Sequence, residues 1–352
     1  MFINYIRFLL FPLGVIYWLI ISVRNLFFDR KVLRVINAGI PVISVGNISV
    51  GGSGKTPVVE MLANMISASK RIGIVSRGYR RKSRGTIIVS DGRKIMATVK
   101  EAGDEPYQLA MKFPEAIVVV GKNKVECAQK AREFGAQVVI VDDGFQYRRL
   151  ERVIDLVVVP FDKILHRDWI LPVGSNREPL SSLKRADIVV VSRCNSSLNA
   201  DLIQKKLRKY QKPVVYVNTV IRRLKNAKTM AEIPISEVFG KNLIAFSGIG
   251  DPESFRKTLV SANLNIKKHI IFPDHHWYSK KDIKKVIKEA SKIGANYVIT
   301  TEKDFVRLLQ YKLLLLFDFL LVAEIEQVIL NGDENLNNIL RIKLLNYNNV
   351  GI

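Results

Sequence analysis

The stretch from Gly46 to Pro57, GNISVGGSGKTP, constrains this chain more than any other. Pro41-Val42-Ile43-Ser44-Val45 before it reads as a short buried strand, and Val58-Val59-Glu60-Met61-Leu62 after it opens an apolar-periodic helix. Glycines at 46, 51, 52 and 54 let the backbone turn its N–H groups inward around an anion at the positive end of that helix. Gly51, Gly52, Ser53 and Gly54 are then the cradle itself, Lys55 reaches the β- and γ-phosphates, and Thr56 offers the hydroxyl that coordinates Mg²⁺. Pro57 falls in the first helical turn, where a missing N–H costs little. One position departs from G-x-x-x-x-G-K-[ST]: Ser49 stands where the first glycine belongs. The plain alternative is a glycine-rich turn between a strand and a helix.

A loop of this kind needs a parallel sheet around it, and the chain supplies one. Short apolar runs at Ile72–Ser76, Ile87–Val89, Ile117–Val120, Val138–Val141, Leu156–Val159, Ile188–Val191 and Val214–Val217 suit fully buried parallel strands. Polar, helix-period segments such as Lys124–Phe134 and Ala200–Tyr210 lie between them. The class is therefore α/β, a P-loop-type parallel sheet flanked by helices. A second, smaller α/β set begins near Leu243, with strands at Leu243–Phe246 and Tyr297–Thr300 and helices at Glu253–Asn263 and Lys280–Ile293. The expected organisation is an N-terminal membrane-associating helix at 1–35, a P-loop domain at 36–221, a polar linker at 222–240 and a smaller α/β domain at 241–350.

The leader is strongly apolar from Met1 to Val23, uncharged from Phe8 to Val23, and followed by Arg24, Arg30, Lys31 and Arg34. A spanning helix needs about 20 residues, and Pro12 with Gly14 interrupts this run, so it suits a helix lying in the interface as well as a span. A cleaved signal peptide fits poorly, because the phosphate loop follows shortly and needs cytosolic ATP. A helix buried on its own domain is the remaining reading. The formal charge of +23 implies a polyanionic partner, either nucleic acid or an anionic membrane surface. Cys127 and Cys194 lie far apart and outside any metal spacing, so neither a disulfide framework nor a zinc site is indicated.

Candidate chemistry gathers where strands end. The run Val138–Val141 leads into Asp142 and Asp143, the position from which a P-loop protein delivers an acid to Mg²⁺. Asp104 and Glu105, in AGDEP, precede a helix, where ordinary N-terminal capping is the competing explanation. Arg77, Tyr79, Arg80, Arg81, Lys82 and Arg84 form a basic loop after the strand Ile72–Ser76, suited to an acidic substrate group. Arg177 belongs to a structured loop, and of His275 and His276 only one can face a given target.

Taken together, GNISVGGSGKTP, SRGY at 76–79, AGDEP at 102–106, DDGFQ at 142–146, LPVGSNREP at 171–179, DHH at 274–276 and TEKD at 301–304 resemble the tetraacyldisaccharide 4′-kinase family. The Ser49 departure is typical of that family, whereas the position after DDGFQ often holds histidine and here is Tyr147. The resemblance implies transfer of the ATP γ-phosphoryl group to the 4′-hydroxyl of a tetraacylated glucosamine disaccharide 1-phosphate, giving lipid IVA, at the cytosolic face of the bacterial inner membrane. It implies Asp104 as the base with His275 bonded to it, Lys55 and Arg177 on the nucleotide, and Mg²⁺ among Thr56, Glu105, Asp142 and Asp143. Arg77, Tyr79 and Asn47 fall on the acceptor side. The expected partners are the acylated disaccharide lipid and an anionic membrane, with no nucleic acid.

Three rivals are weaker. A GTP switch lacks [NT]-K-x-D in the right place, since Asn123-Lys124-Val125-Glu126 precedes the Asp142 strand. A membrane-associated or nucleic-acid-stimulated P-loop ATPase rests on charge alone and lacks a recognisable nucleic-acid module. A non-enzymatic membrane scaffold leaves the glycine loop and the carboxylates unexplained.

Overall fold

The computed structural model describes residues 2–165, 168–194, 200–309 and 319–349. Its strands, numbered in chain order, are β1 (Val42–Asn47), β2 (Ile72–Ser76), β3 (Ile87–Asp91), β4 (Ile117–Val120), β5 (Val138–Asp142), β6 (Ile154–Pro160), β7 (Ile188–Ser192), β8 (Val214–Asn226), β9 (Glu232–Ile233), β10 (Asn242–Ser247), β11 (Asn265–Ile271), β12 (Tyr297–Thr301) and β13 (Leu320–Asn331). They form one continuous sheet in the order β11-β10-β12-β13-β8-β7-β6-β1-β5-β2-β4-β3, with β9 beside β8.

Pairing is parallel except at β3–β4, β8–β9 and β8–β13. The central strands are apolar on both sides because both faces are covered. Val138 and Ile140 enter one core with Val58, Leu62 and Leu109. Val139 and Val141 enter the other with Val125, Ala128 and Ala131. Alternation within one strand feeds two separate cores, so no polar face survives to be read.

Three expectations change. The segment Ile87–Val89 is an antiparallel edge strand, with Ile87 and Ile88 half-buried. The polar stretch expected as a linker is strand as far as Asn226, because its cross-strand partner Glu324 neutralises Arg223 and Lys225. This β8–β13 ladder joins the N-terminal and C-terminal halves edge to edge. The chain's end also does not stay in the second half: Leu336, Leu340 and Leu344 of the helix Asp333–Asn349 return to the first-half core.

The leader forms a helix, Phe2–Asp29, that runs through Pro12 and Gly14 without a break. It lies along the body. Phe11 meets Trp169 edge-on, a Cβ on Gly14 would stand 2.7 Å from Val173, and the Tyr17 hydroxyl donates to the Arg177 carbonyl at 3.2 Å. Arg24 donates to the Gln146 carbonyl, Asn25 to the buried Glu178, and Arg148 binds the Asn25 carbonyl and Asp29. Leu9, Leu13, Ile16, Ile20, Val23 and Phe27 face outward.

Candidate active site

The carboxyl ends of β1, β2, β5 and β12 bring the sequence motifs together. At β1 the chain leaves the sheet at Asn47 and re-enters order at the helix Lys55–Ser67. Gly51 and Gly54 carry φ values of 97° and 83°, backbone that only glycine adopts without strain, and Gly54 stands immediately before the helix. Asn47 is fully buried, and its amide donates to the Ser53 hydroxyl at 2.8 Å. Through that bond it braces the glycine loop from behind, while its Oδ1 is buried without a hydrogen-bond partner.

On the neighbouring strand β5, Asp142 closes the strand and Asp143 turns out of it with φ 54°. Arg177 donates to both Asp143 oxygens at 2.9 Å, and Lys55 Nζ lies 3.6 Å from Oδ1. Burial pushes the Asp143 carboxyl up, but Lys55, Arg177 and Lys124 outweigh it and hold its pKa below the ordinary range. Asp142 behaves oppositely. Burial, then the nearby Glu105, pushes its pKa up to about 6, and its Oδ1 is buried without a hydrogen-bond partner.

That orphaned oxygen is the test for Mg²⁺. Among the described residues no three His, Cys, Asp or Glu side chains form a ready-made metal cage. Magnesium does not require one, because it keeps waters and takes substrate phosphates beside one or two protein ligands. Asp142, with the buried Thr56 at the start of the helix, fits that requirement. Glu105 is paired with Lys303, and Asp143 with Lys55 and Arg177.

Asp104 and Glu105 open the helix Asp104–Lys112. Asp104 is buried, and its Oδ2 is bonded to His275 Nδ1 at 2.7 Å, with Arg307 Nε 3.4 Å away. Burial raises its pKa, but the His275 bond and the charges of His275, Arg307 and Lys303 prevail and lower it. His275 itself sits at φ 57°, a region that Asn, Asp and His enter more readily than bulkier residues.

The loop holding His275 is fixed from beneath by Asp304, which accepts from the Gly248 N–H, Tyr278, Thr301 and Arg307. His276 turns away, stacked on Phe272 at 4.9 Å and bonded to Asp282 at 3.1 Å. On the near side, the exposed Tyr79 ring lies 5.1 Å from the His275 ring, and Arg80 donates to the Asp274 carbonyl at 2.7 Å. Arg77 is exposed at the end of β2.

Sequence reasoning gave no role to Lys124, Lys303, Asp304 or Arg307. Buried Lys124 donates to the Asp142 carbonyl at 2.8 Å and to that of Asp143, and burial lowers its pKa to about 8 against the pull of both aspartates. Lys303 is also desolvated, yet Glu105, Asp104 and Asp142 hold its pKa above the ordinary lysine value. TEKD sits at the carboxyl end of β12, the edge on which α/β ligand sites occur, so its position was the available signal.

A glycine loop, a lysine and a carboxylate pair at the carboxyl edge of a largely parallel sheet define a class of protein, the α/β nucleotide-dependent phosphotransferases. Comparison with known proteins narrows that class. The family model for LpxK, tetraacyldisaccharide-1-P 4′-kinase, matches residues 6–344, and the chain belongs to that family. It is 36% identical to the tetraacyldisaccharide 4′-kinase of Chlorobium phaeovibrioides, over 95% of this chain and 96% of that one. It is 38% identical to that of Chlorobaculum parvum, over 86% and 84%. The crystal structure of LpxK from Aquifex aeolicus in complex with ATP superposes with a TM-score of 0.78 at 32% identity, covering 96% of this chain and 99% of that one.

Proposed function

We infer that this chain transfers the γ-phosphoryl group of ATP to the 4′-hydroxyl of a tetraacylated glucosamine disaccharide 1-phosphate, yielding the bis-phosphorylated lipid A precursor. The observation that carries this reading is the Asp104–His275 pair, which joins a buried, ionised carboxylate to the sheet edge that holds Lys55, Asp143 and Arg177.

In this reading the glycine loop and Lys55 bind the β- and γ-phosphates, and Arg177 adds charge as the phosphoryl group moves. Mg²⁺, held by Thr56 and Asp142 when bound, neutralises phosphate charge. Asp104 accepts the sugar hydroxyl proton at Oδ1 or Oδ2. His275 keeps that carboxylate oriented, and the depressed pKa keeps it ionised at neutral pH. A loose transition state needs a proton acceptor only late in transfer, so a base of modest strength suffices. Tyr79, Arg77 and Arg80 border the base and would meet the acceptor.

The leader supports a peripheral position on the cytosolic face of the inner membrane. Leu9–Asp29 is long and apolar enough to cross a bilayer. Yet its contacts with Trp169, Val173, Arg177, Gln146 and Arg148 run from Phe11 to Asp29, so a crossing helix would carry part of the body into the hydrocarbon. We therefore propose a helix lying in the interface, apolar face to lipid and polar stripe to protein.

The test is direct. Protein incubated with γ-labelled ATP, Mg²⁺ and the disaccharide acceptor in detergent should label the lipid. Label appearing only as free phosphate, unchanged by lipid and stimulated by nucleic acid, would favour an ATPase.

A further inference from the structure

The glycine loop is held from outside by residues that the reaction above does not use. At the carboxyl end of β7 the Ser192 hydroxyl donates to the Ser53 carbonyl at 2.8 Å, in a buried contact. The next residue, Arg193, stands at φ 64° and donates from its guanidinium to the Gly52 carbonyl. The same guanidinium is ion-paired with Asp251. Asp251 belongs to the C-terminal half, where its carboxylate also caps the helix Pro252–Ser261 by accepting from the Ser254 N–H at 3.0 Å. The backbone approach is close: a Cβ on Gly52 would stand 3.4 Å from Asp251 Cβ.

A trans peptide points its C=O and the following N–H in opposite directions. Fixing the Ser53 carbonyl therefore fixes the direction of the Gly54 N–H, and fixing the Gly52 carbonyl fixes that of the Ser53 N–H. The latter donates to the Gly51 carbonyl at 3.0 Å. The Ser53 N–H thus closes a turn on Gly51, and it is the shape of that turn that sets where the Gly54 N–H points; glycine-rich backbone leaves both orientations weakly determined.

We propose that Arg193 and Asp251 form a clamp through which the C-terminal half orients the Gly52–Ser53 peptide, coupling ATP affinity to the seating of one half on the other. Arg193 is a positioning residue here, acting through the loop backbone. The proposal rests on reading Gly46–Pro57 as an ATP cradle. Ser192 supplies the half of the restraint that belongs to the loop's own sheet, and Arg193 supplies the half that depends on the other part of the molecule.

The experiment measures KM for ATP, KM for the acceptor and kcat in full-length Arg193→Ala, Arg193→Lys, Asp251→Asn and Asp251→Ala, and in Arg193→Ala/Asp251→Ala. Affinity for a non-hydrolysable ATP analogue is measured in parallel. Arg193→Ala should raise KM for ATP and weaken the analogue about tenfold, with kcat and acceptor KM nearly unchanged. Asp251→Ala and Asp251→Asn should raise it about threefold, and the double variant should be no worse than Arg193→Ala, the non-additivity expected of one shared interaction. Arg193→Lys should recover most of the loss, since an ammonium can still bridge carbonyl and carboxylate.

Wild-type ATP affinity in both Asp251 variants would overturn the clamp, because Arg193 would then act without the other half. Multiplicative losses in the double variant, or a lowered melting temperature with ATP affinity intact, would overturn it as well. Analogue binding without transfer to lipid in the wild type would instead sink the proposed activity and leave the affinity test of the clamp standing.

Discussion

The nucleotide side and the base side of this active site are assembled on different principles. Asn47, the glycine loop, Lys55, Asp142, Asp143 and Arg177 all come from the N-terminal half, and the loop and both aspartates are carried by adjacent parallel strands. Their relative placement is fixed by the sheet register, Val45 opposite Asp142. The base side is a junction. Asp104 and Glu105 come from the first half and meet His275, Lys303 and Arg307 from the second. The nucleotide-binding side chains are thus supplied within the first half, whereas the base side is complete only where the two halves meet.

The largest effects should separate the two sides. Asp104→Asn is expected to lower kcat by roughly two orders of magnitude or more with ATP affinity nearly unchanged, since a base acts in the transition state. Lys55→Ala should damage both kcat and ATP binding. Steady-state kinetics with varied ATP checks the pair. Weakened ATP binding with intact turnover in Asp104→Asn would make that residue a helix cap or a nucleotide contact, and the contrast would collapse.

The next test lies within the junction. His275→Ala should lower kcat about tenfold to a hundredfold, because Asp104 keeps its charge but loses its orienting bond. His276→Ala should leave kcat almost unaltered and cost about 1 kcal/mol of stability through its lost bond to Asp282 and its stack on Phe272. Thermal melts of both variants distinguish lost chemistry from lost fold. Equal kcat losses at matched stability would mean that the loop's shape, rather than the His275 ring, matters.

The same contrast explains what could be read from the sequence. The nucleotide side is contiguous: strand, glycine loop, lysine and hydroxyl succeed one another, and Val138–Val141 leads directly into its two acids. The junction is not contiguous, and Asp104 with His275 was reached through family resemblance, since neither residue's neighbours announce the other. Asn47 looked like part of a binding motif, but its burial under Ser53 depends on how the loop folds back. Arg223 and Lys225 lie in the stretch expected as a linker, and only the pairing of two distant strands sets Glu324 beside them. Leu336, Leu340 and Leu344 recur at helical spacing, but that spacing carries no address for the core they fill.

The leader extends the comparison, because its polar contacts among the described residues are with the first half's loops: Tyr17 with the Arg177 carbonyl, Asn25 with Glu178, and Arg24 with the Gln146 carbonyl. Apolar insertion does not weaken with salt, whereas attraction of a +23 body to anionic lipid fades as the Debye length falls to about 3 Å near 1 M salt. Full-length protein should remain with vesicles in high salt. A chain beginning near Lys31 should bind anionic vesicles only at low salt and should lose activity even in detergent, as Glu178 and the Arg177 loop lose their partners. Sedimentation at two salt concentrations checks the first statement. Wash-off of the full-length protein would mean that the helix is packed into the fold and not inserted in lipid.

The smallest effect concerns the seam behind the junction. There Lys112, at the far end of the helix that begins with Asp104, lies between Glu60 at 2.7 Å and Glu302 at 3.1 Å. Two buried carboxylates share one ammonium. Burial, then Glu60, pushes the Glu302 pKa up to about 7, against the pull of Lys112. An acid whose folded pKa lies above its unfolded value binds more protons in the folded state between the two. Stability should therefore fall as pH rises from the ordinary glutamate range to about 7, and level off above it. Glu302→Gln keeps the shape and an acceptor for Lys112 while removing the titration. Its melting temperature should match wild type near pH 5, then change less with pH, so that it is the more stable protein by a few degrees at pH 8. If the variant is instead less stable at pH 8 and equal at pH 5, the ionised carboxylate strengthens the seam. Lys112 would then tie the two halves together more firmly as pH rises, and the junction's closure would favour alkaline conditions.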